Sequence, residues 1–307
     1  MNVQVATNRH EWLELRMKGI GGSDAAAILG LDPYKSPFDV YVEKVGLKPD
    51  RPDNESMRQG RDLEQYVAER FVEATGKKVR RKNGILYHPE YPFILGNIDR
   101  WVVGEKAGLE CKTTSVLNKA RFHQGEFPPN YYVQCMHYMT ITSAEKWYLA
   151  VLVLNKAFHV FEIQRDENEI QALIEAEKDF WENHVMKQIP PEPDGSEATS
   201  EIIKQLFPEA REKAEIALFG YEDKIQRYLD LETQVKDLEH ERDKLKQELQ
   251  LVLGDAEIGR AQGYIVEWKN QVRQTLDTQR LKKEMADVYQ QFLKPAQTVR
   301  VFKVKEV

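Results

Sequence analysis

Two segments, 93–103 and 107–114, constrain the fold most, because they are rich in apolar residues and a short glycine-containing loop joins them. This pattern predicts two strands of a β-hairpin. Side chains alternate between the two faces of a strand, so Glu110 and Lys112 project from the same face. Asp99 lies on the preceding strand, where hairpin pairing brings it beside them. The sequence therefore predicts two carboxylates and one ammonium group at a single place.

Such a set of charges suits phosphodiester hydrolysis assisted by a divalent cation. Mg²⁺ prefers oxygen ligands and usually combines one or two carboxylates with phosphate and water. A bound ion of this kind polarises the phosphate and lowers the pKa of its water, while Lys112 can position that water. The alternative is a cross-strand ion pair at the surface, worth only about 0.2–1 kcal/mol. The spacing alone does not decide between the two.

Two predicted helices supply further candidates. Glu64 lies on a helix predicted over 55–75, where it is either a further carboxylate of the site or a solvated helix residue. Tyr131 and Gln134 are three residues apart on a helix predicted over 130–141, so they share a face. Both can reach the predicted site, and the alternative is that they are ordinary helix residues.

The turn formed by residues 21–24 leads directly into a short helix. Gly22 and Ser23 lie at the start of this helix, where free backbone N–H groups can bind an anion. Arg16, one short helix upstream, can add a charged fork to a phosphate. The alternative is a simple helix cap made by Ser23 or Asp24.

The overall charge does not by itself favour a nucleic-acid ligand. The formal net charge is −6, whereas proteins that bind nucleic acids are usually basic. DNA binding would therefore depend on local basic residues that contact phosphates. The candidates are Lys77, Lys78, Arg80, Arg81, Lys82, Lys119 and Arg121. The alternative is that they form a solvated basic edge.

Cysteine content and hydropathy point to the cytoplasm. Cys111 and Cys135 are the two cysteines of the chain, too few for a disulfide framework or an iron–sulfur cluster. The first residues lack the pattern of a signal peptide. The longest apolar run, 148–154, is too short to span a bilayer. We expect a cytoplasmic protein that does not enter a membrane.

The order of predicted elements is helices, a strand meander, a helix, two more strands and a helix. This order predicts an α/β domain over 1–190 with a mixed central sheet flanked by helices. Residues 191–200 are predicted to be a linker, because the stretch from 189 is rich in Pro, Asp and Ser. Residues 201–307 form an extension, with a long helix at about 222–253 and a strand-helix-strand end. In that end, Asp277 is expected to cap the helix and 299–304 to form the last strand.

The long helix has the heptad-like spacing of a coiled coil. Its apolar stripe consists of Tyr228, Leu231, Val235, Leu238, Leu245, Leu249 and Val252. Arg242 interrupts the stripe, which is unfavourable for a long, stable parallel coil. Three partners are possible: a helix near 203–219 of the same chain, which we favour, another subunit, or a partner protein.

Five motifs in a fixed order resemble those of a known family. The motifs are GIGGSDAAAILGLDPYKSPFDVY, RQGRDLE, GNIDRW, LECKT and YYVQCMHY. They closely resemble the YqaJ-type viral recombinases, which are relatives of phage lambda exonuclease in the PD-(D/E)xK nuclease superfamily. The resemblance covers roughly 8–185. It implies the PD-(D/E)xK fold and a phage or prophage enzyme of the bacterial cytoplasm.

The resemblance also implies an activity. Such enzymes degrade linear double-stranded DNA from 5′ ends and leave 3′ single-stranded overhangs for a phage annealing protein. Family members form ring-shaped homo-oligomers that thread DNA, and we expect the same here. Two alternatives remain: a DNA endonuclease on the same fold, and a non-enzymatic DNA-binding scaffold. The complete Asp-Glu-Lys set argues against the scaffold.

The motifs carry site assignments to individual positions. Asp99, Glu110 and the backbone carbonyl of Cys111 are implied ligands of Mg²⁺, for which Mn²⁺ can substitute. Lys112 is implied to assist the attacking water, and Glu64 to serve a second metal ion or its water. Gln134 and Tyr131 are implied to line the catalytic site.

The same resemblance implies a pocket for a 5′-phosphate. Arg16 and Ser23, with Gly22, match the residues that hold this group. Asn97 is a departure, because lambda exonuclease has a serine at that place beside the pocket. This difference puts a strict preference for a 5′-phosphate in doubt.

Overall fold

The computed structural model describes residues 2–47, 54–115, 122, 126–296 and 298–305. The chain divides into two compact units, Met1–Leu206 and Phe207–Val307. The helices of the first unit are α1 (Arg9–Met17), α2 (Gly22–Ile28), α3 (Pro37–Lys44), α4 (Glu55–Thr75), α5 (Pro129–Thr142), α6 (Glu167–Phe180) and α7 (Glu197–Leu206). Its strands are β1 (Asn2–Gln4), β2 (Val79–Arg81), β3 (Ile85–Tyr87), β4 (Leu95–Gly96), β5 (Arg100–Val102), β6 (Ala107–Thr114), β7 (Lys146–Val153) and β8 (Ala157–Gln164).

A five-stranded mixed sheet with the order β2-β5-β6-β7-β8 forms the centre of the first unit. Strands β6 and β7 are parallel, and the other neighbours are antiparallel. Parallel neighbours require a crossover connection, and α5 lies in it. Strands β1, β3 and β4 form a separate small sheet. The predicted mixed sheet with flanking helices is confirmed.

The hairpin predicted from the two apolar segments is also confirmed, with a shorter first strand. Arg100 pairs with Leu109 across β5 and β6, and Gly104 in the connecting turn has a φ of 85°. A positive φ of this size favours glycine, which explains why the loop carries one. The segment 93–103 contributes only β4 and β5, so Asp99 lies just before β5 and not within it.

Helices cover both faces of the sheet. On one face, α5 packs on Trp147, Leu149 and Val151 of β7. On the other face, Val67 and Phe71 of α4 pack on the neighbouring strands. Burial on both faces explains why β7 is apolar almost throughout instead of alternating. The alternation of β6 places Glu110 on the α5 face.

The first unit extends further than the predicted limit at residue 190. Helix α7 covers Glu197–Leu206, and its residue Ile202 is buried with Val40 and Val42 of α3. The Thr199 hydroxyl donates a hydrogen bond of 2.8 Å to the Ser36 Oγ. Residues 197–200 of the predicted linker are therefore helical, and α7 belongs to the first unit because its apolar side packs on α3.

The second unit contains the long helix α8 (Glu222–Leu253), the hairpin strands β9 (Ile258–Ala261) and β10 (Tyr264–Glu267), and the short helices α9 (Thr278–Glu284) and α10 (Ala286–Gln291). The predicted bounds of α8 and the cap of α9 by Asp277 are confirmed. Two expectations are wrong: residues 299–304 form no strand, and of the helix expected near 203–219 only 203–206 are helical, as the end of α7. Alternation at 299–304 was insufficient because no neighbouring strand supplies hydrogen bonds there. Across the described ranges, no helix has both the length and the apolar character needed to cross a membrane.

Candidate active site

The hairpin brings Asp99, Glu110 and Lys112 together, as the sequence predicts. The backbone N–H of Cys111 donates a hydrogen bond of 2.7 Å to Asp99 Oδ2. Lys112 Nζ lies 2.7 Å from Glu110 Oε1. The Glu110 side chain is almost fully buried, whereas that of Lys112 keeps 23% of its surface exposed. The site therefore opens on the Lys112 side.

Helix α5 adds an amide that bridges the two charges. Gln134 Oε1 accepts a hydrogen bond of 2.8 Å from Lys112 Nζ, while its Nε2 donates one of 2.8 Å to Glu110 Oε1. Tyr131, one helical turn away, has its ring centroid 5.3 Å from Lys112 Nζ. The two residues thus share the face that contacts β6, and both lie at the predicted site.

Glu64 reaches the site through a residue that the sequence did not indicate. Its carboxylate forms an ion pair with Arg100 Nη1, which also donates a hydrogen bond of 2.6 Å to the backbone carbonyl of Asp99. Arg100 Nη2 donates to Gln65 Oε1 at 3.0 Å. Arg100 is 3% exposed, so a buried guanidinium fixes Glu64 beside the Asp99 segment. Arg100 directly follows Asp99, and only its burial marks it out from other arginines.

The crowding of carboxylates changes the charge balance of the site. Burial and the nearby charges of Glu110 and Glu64 hold the pKa of Asp99 well above its usual range, against the opposing effects of the Cys111 N–H and of Lys112. Burial lowers the pKa of Lys112, but Glu110 and Asp99 outweigh it and raise that pKa overall. A cation bound beside Asp99 would therefore stabilise the ionised form of that carboxylate.

The oxygen atoms of this site fit a hard divalent cation. Glu110 Oε2 is buried and, among the described residues, has no hydrogen-bond partner, a costly state for a carboxylate oxygen unless a ligand satisfies it. Within the same residues, no group of three or more His, Cys, Asp and Glu side chains is arranged to hold a metal ion. A cation would thus depend on Asp99, Glu110, the Cys111 carbonyl, water and phosphate, which is the coordination typical of Mg²⁺.

Arg16 and Ser23, which the sequence analysis assigned to a phosphate pocket, lie together in the structure. Arg16 Nη2 donates a hydrogen bond of 3.3 Å to Ser23 Oγ, and Gly22 is the first residue of α2. A Cβ atom on Gly22 would lie 2.8 Å from the ring of Tyr138, so only glycine permits this contact. The Tyr138 hydroxyl in turn accepts a hydrogen bond of 2.9 Å from Gln134 Nε2. Tyr138, which the sequence did not indicate, connects the Gly22 turn to the Gln134 amide.

A buried network of charged side chains lies next to the Arg16–Ser23 pair. Asp24 is fully buried, and its two oxygens lie 2.6 Å from Lys35 Nζ and 2.7 Å from Lys44 Nζ. Asp24 Oδ2 also accepts the Gly21 N–H at 3.0 Å, and Lys44 donates to the backbone carbonyl of Arg16 at 3.0 Å. The N-cap of α2 is Gly21, and not Ser23 or Asp24 as considered from the sequence; Asp24 instead lies in the first turn of α2 and accepts the N–H of the N-cap residue, beside the Arg16–Ser23 pair. Lys35 and Lys44 were not anticipated, because they lie far from Asp24 in sequence.

The other candidates for DNA contact lie elsewhere. Lys78, Arg80 and Arg81 are exposed on or beside β2, the edge strand that β5 separates from β6. They are therefore not part of the carboxylate cluster. Lys119 and Arg121 lie outside the described residues. Asn97 Nδ2 donates a hydrogen bond of 3.3 Å to the carbonyl of Gly84, so its amide is held by the backbone.

Comparison with a solved structure defines the class of fold. The chain resembles the crystal structure of an alkaline exonuclease from Laribacter hongkongensis, with a TM-score of 0.51 and 18% sequence identity, and the likeness covers 64% of this chain and 100% of that chain. The fold is that of the PD-(D/E)xK nucleases. This fold is consistent with the β5–β6 hairpin, on which Asp99, Glu110 and Lys112 lie together.

The sequence comparisons then define the family. Residues 11–145 match the YqaJ-like viral recombinase domain. The chain is 41% identical over 304 residues to the protein YqaJ of Bacillus subtilis (strain 168), covering 98% of this chain and 95% of the relative. This protein belongs to the YqaJ-like viral recombinase family. The similarity to YqaJ spans both units, so the extension is shared with this relative.

Proposed function

We propose that this protein is a Mg²⁺-dependent 5′→3′ exonuclease that degrades linear double-stranded DNA and leaves 3′ single-stranded overhangs. The observation that carries the proposal is the joining of Asp99, Glu110, Lys112 and Gln134 in one partly open, buried cluster on a nuclease fold. The free Oε2 atom of Glu110 supports a cation at that place. Membership of a recombinase family supports DNA as the substrate.

Each residue of the cluster has a distinct task in this proposal. Asp99, Glu110 and the Cys111 carbonyl would hold Mg²⁺, which, when bound, supplies Lewis acidity to the scissile phosphate. Lys112 uses two of its N–H groups on Glu110 and Gln134, which leaves a third to orient the attacking water or a phosphate oxygen. Gln134 fixes the direction of that ammonium group. Arg100 keeps Glu64 near Asp99, where Glu64 can serve a second cation or its water.

Polarity of digestion would come from the Arg16–Ser23 pair. Its guanidinium and hydroxyl are suited to a terminal phosphate, and Tyr138 links the turn that bears Ser23 to Gln134. A duplex end bound there would place its 5′ strand toward the cluster. The resulting 3′ strand is the substrate of a single-strand annealing protein, which we propose as the partner. We also propose that the protein forms a ring-shaped homo-oligomer, on the basis of its resemblance to the recombinase family.

A nuclease assay with defined substrates tests this function. The substrates are a linear duplex with 5′-phosphates, the same duplex with 5′-hydroxyls, and a covalently closed circle, each with Mg²⁺, Mn²⁺ or EDTA. We expect conversion of linear duplex to single strands with either metal ion, no cutting of the circle and no reaction in EDTA. Cleavage of the closed circle would identify an endonuclease instead. No turnover with either metal ion would favour a DNA-binding scaffold.

Variants test the assignment of the site. Asp99→Ala and Lys112→Ala should each lower the rate by about 10³-fold or more, because each removes several kcal/mol of transition-state stabilisation. The matched control is Lys106→Ala, since Lys106 lies on the same hairpin but pairs with Glu145 at the surface. Circular dichroism should be the same for all three variants. Activity near wild type in Lys112→Ala would disprove the assigned site.

A further inference from the structure

The long helix α8 presents an apolar stripe that the described residues of its own unit leave exposed over most of its length. All of Glu222–Leu253 is described, and none of its residues is buried. Leu238 and Leu245, in the middle of the stripe, are 64% and 55% exposed. A helix of 32 residues is about 48 Å long. Helices in proteins owe most of their stability to the packing of an apolar face, so this stripe needs a partner.

The intrachain partner that the sequence favoured is absent. Residues 207–220, all of which are described, contain no helix, and α7 ends at Leu206. Tyr228 forms an edge contact with Phe302, with the ring centroids 5.7 Å apart. That contact lies at one end of the stripe and leaves the five leucine and valine residues from 231 to 249 exposed.

The stripe has the regular register of a two-stranded coiled coil. Heptad positions a and d form a continuous seam over four heptads. Tyr228, Val235, Arg242 and Leu249 occupy the a positions, and Leu231, Leu238, Leu245 and Val252 occupy the d positions. Seven of these eight residues are apolar. The remaining one, Arg242, is a single charged a residue of the kind that specifies register at some cost in stability.

Charges beside the seam are complementary between two parallel copies. In a parallel pair, a g residue of one helix lies near the e residue five positions later on the other. This places Arg227 against Glu232 and Glu241 against Lys246 of the second copy, in both directions. The other g residues, Gln234 and Glu248, meet Glu239 and Leu253, so no two like charges are opposed at the e and g positions.

An antiparallel pair is less favourable. Alignment of the two stripes about their common centre places the Glu239 and Glu241 carboxylates of one copy near the same residues of the other. Like charges in such positions are destabilising. The parallel pair places the two Arg242 side chains opposite each other in the seam, which has a cost in stability, and Glu241 of the second copy lies beside each Arg242 and offsets its charge. The charges at the e and g positions therefore favour a parallel pair of identical helices over an antiparallel pair.

We infer that α8 binds a second copy of this chain in a parallel, in-register coiled coil. The seam excludes water from seven apolar side chains of each helix, and the charged e and g residues stay at its solvated margin. This association depends on the second unit, and it is independent of the nuclease activity proposed for the first.

Disulfide trapping in the full-length chain tests the register. In a parallel, in-register pair, the two residues at position 238 face each other across the seam, within the Cα separation of about 4.4–6.8 Å that a disulfide requires. Leu238→Cys should therefore form a covalent dimer under mild oxidation. The matched control is Leu251→Cys, because Leu251 lies outside the seam and is 83% exposed. The wild type, with Cys111 and Cys135, provides the background.

Sedimentation of the full-length chain tests the seam without cross-linking. The double variant Leu238→Glu/Leu245→Glu should raise the dissociation constant of the pair at least about tenfold, since buried interface anchors typically account for this much. Leu251→Glu should leave it unchanged. Cross-linking of Leu238→Cys no faster than of Leu251→Cys overturns the proposal. A monomeric wild type would also overturn it and would point to a different partner protein. A dissociation constant that the double variant does not alter would overturn it as well.

Discussion

Replacement of Asp24 by asparagine tests the buried charge network next to the Arg16–Ser23 pair. Asp24 is fully buried and touches both Lys35 and Lys44. Without its charge, Lys44, whose side chain has no exposed surface, would retain only Glu43 at 3.6 Å as an acidic neighbour. Removal of one partner from a buried ion pair typically costs about 3–5 kcal/mol. This is a large part of the 5–15 kcal/mol by which folded domains are usually stable.

Urea denaturation gives the measurement. Four of the five tryptophans, Trp12, Trp101, Trp147 and Trp181, lie in the first unit, so tryptophan fluorescence reports mainly on its unfolding. With a urea dependence of about 2–3 kcal/mol/M, the transition midpoint of Asp24→Asn should fall by about 1–2.5 M. The control is Glu201→Gln, which breaks the exposed pair with Lys204 and should change stability by less than about 0.5 kcal/mol.

The pH dependence of this loss has a definite sign. Burial raises the pKa of Asp24, but the charges of Lys35, Lys44 and Arg16 outweigh it and hold the pKa well below its usual range. A depressed pKa in the folded state stabilises the fold above the unfolded pKa of about 3.9, and this contribution is lost as pH falls through the folded value. The difference between wild type and Asp24→Asn should therefore be full at pH 7 and shrink below about pH 4. A midpoint equal to that of the control at pH 7 would refute the reasoning.

Three further substitutions test other contacts. Gly108→Ala should destabilise the first unit by about 1–3 kcal/mol in urea denaturation, because its Cβ would lie 2.2 Å from the ring of the buried Trp147; an unchanged midpoint would contradict the close packing. His137→Leu removes the partner of the buried Glu177 carboxylate and should lower stability by about 3–5 kcal/mol in thermal unfolding. A loss below 1 kcal/mol would show that this pair is not charged. Gln134→Leu should lower kcat on linear duplex about 10–100-fold at an unchanged KM, since it misdirects a catalytic group without removing it, and a change in KM alone would assign Gln134 to DNA binding.

Several local features were predictable because their signals are local. The heptad spacing defined α8 without any knowledge of its surroundings. Alternation along β6 and the glycine turn before it placed Glu110 and Lys112 on one face beside Asp99. Helical spacing placed Tyr131 and Gln134 on one side of α5. Periodicity and turn chemistry act within a few residues, so the sequence states them directly.

The strand at 299–304 and the helix near 203–219 show where local signals were insufficient. The alternation of apolar and polar residues at 299–304 is typical of a strand, but no described segment pairs with it through backbone hydrogen bonds. Residues 197–200, which form the start of α7, were assigned to a linker because 189–197 is rich in Pro, Asp and Ser. The buried contacts of Ile202 with α3 place α7 in the first unit. Contacts between such distant segments cannot be predicted from amino-acid composition.

What the sequence determined by itself is the chemistry available to this protein: a hairpin with two carboxylates and an ammonium, a glycine turn near an arginine, and a helix with an apolar stripe. Tertiary structure alone decided that Arg100 holds Glu64, that Tyr138 joins the Gly22 turn to Gln134, and that Lys35 and Lys44 neutralise Asp24. The physical reason is that a buried polar group must find a partner. Which group supplies that partner depends on chain segments that only folding brings together.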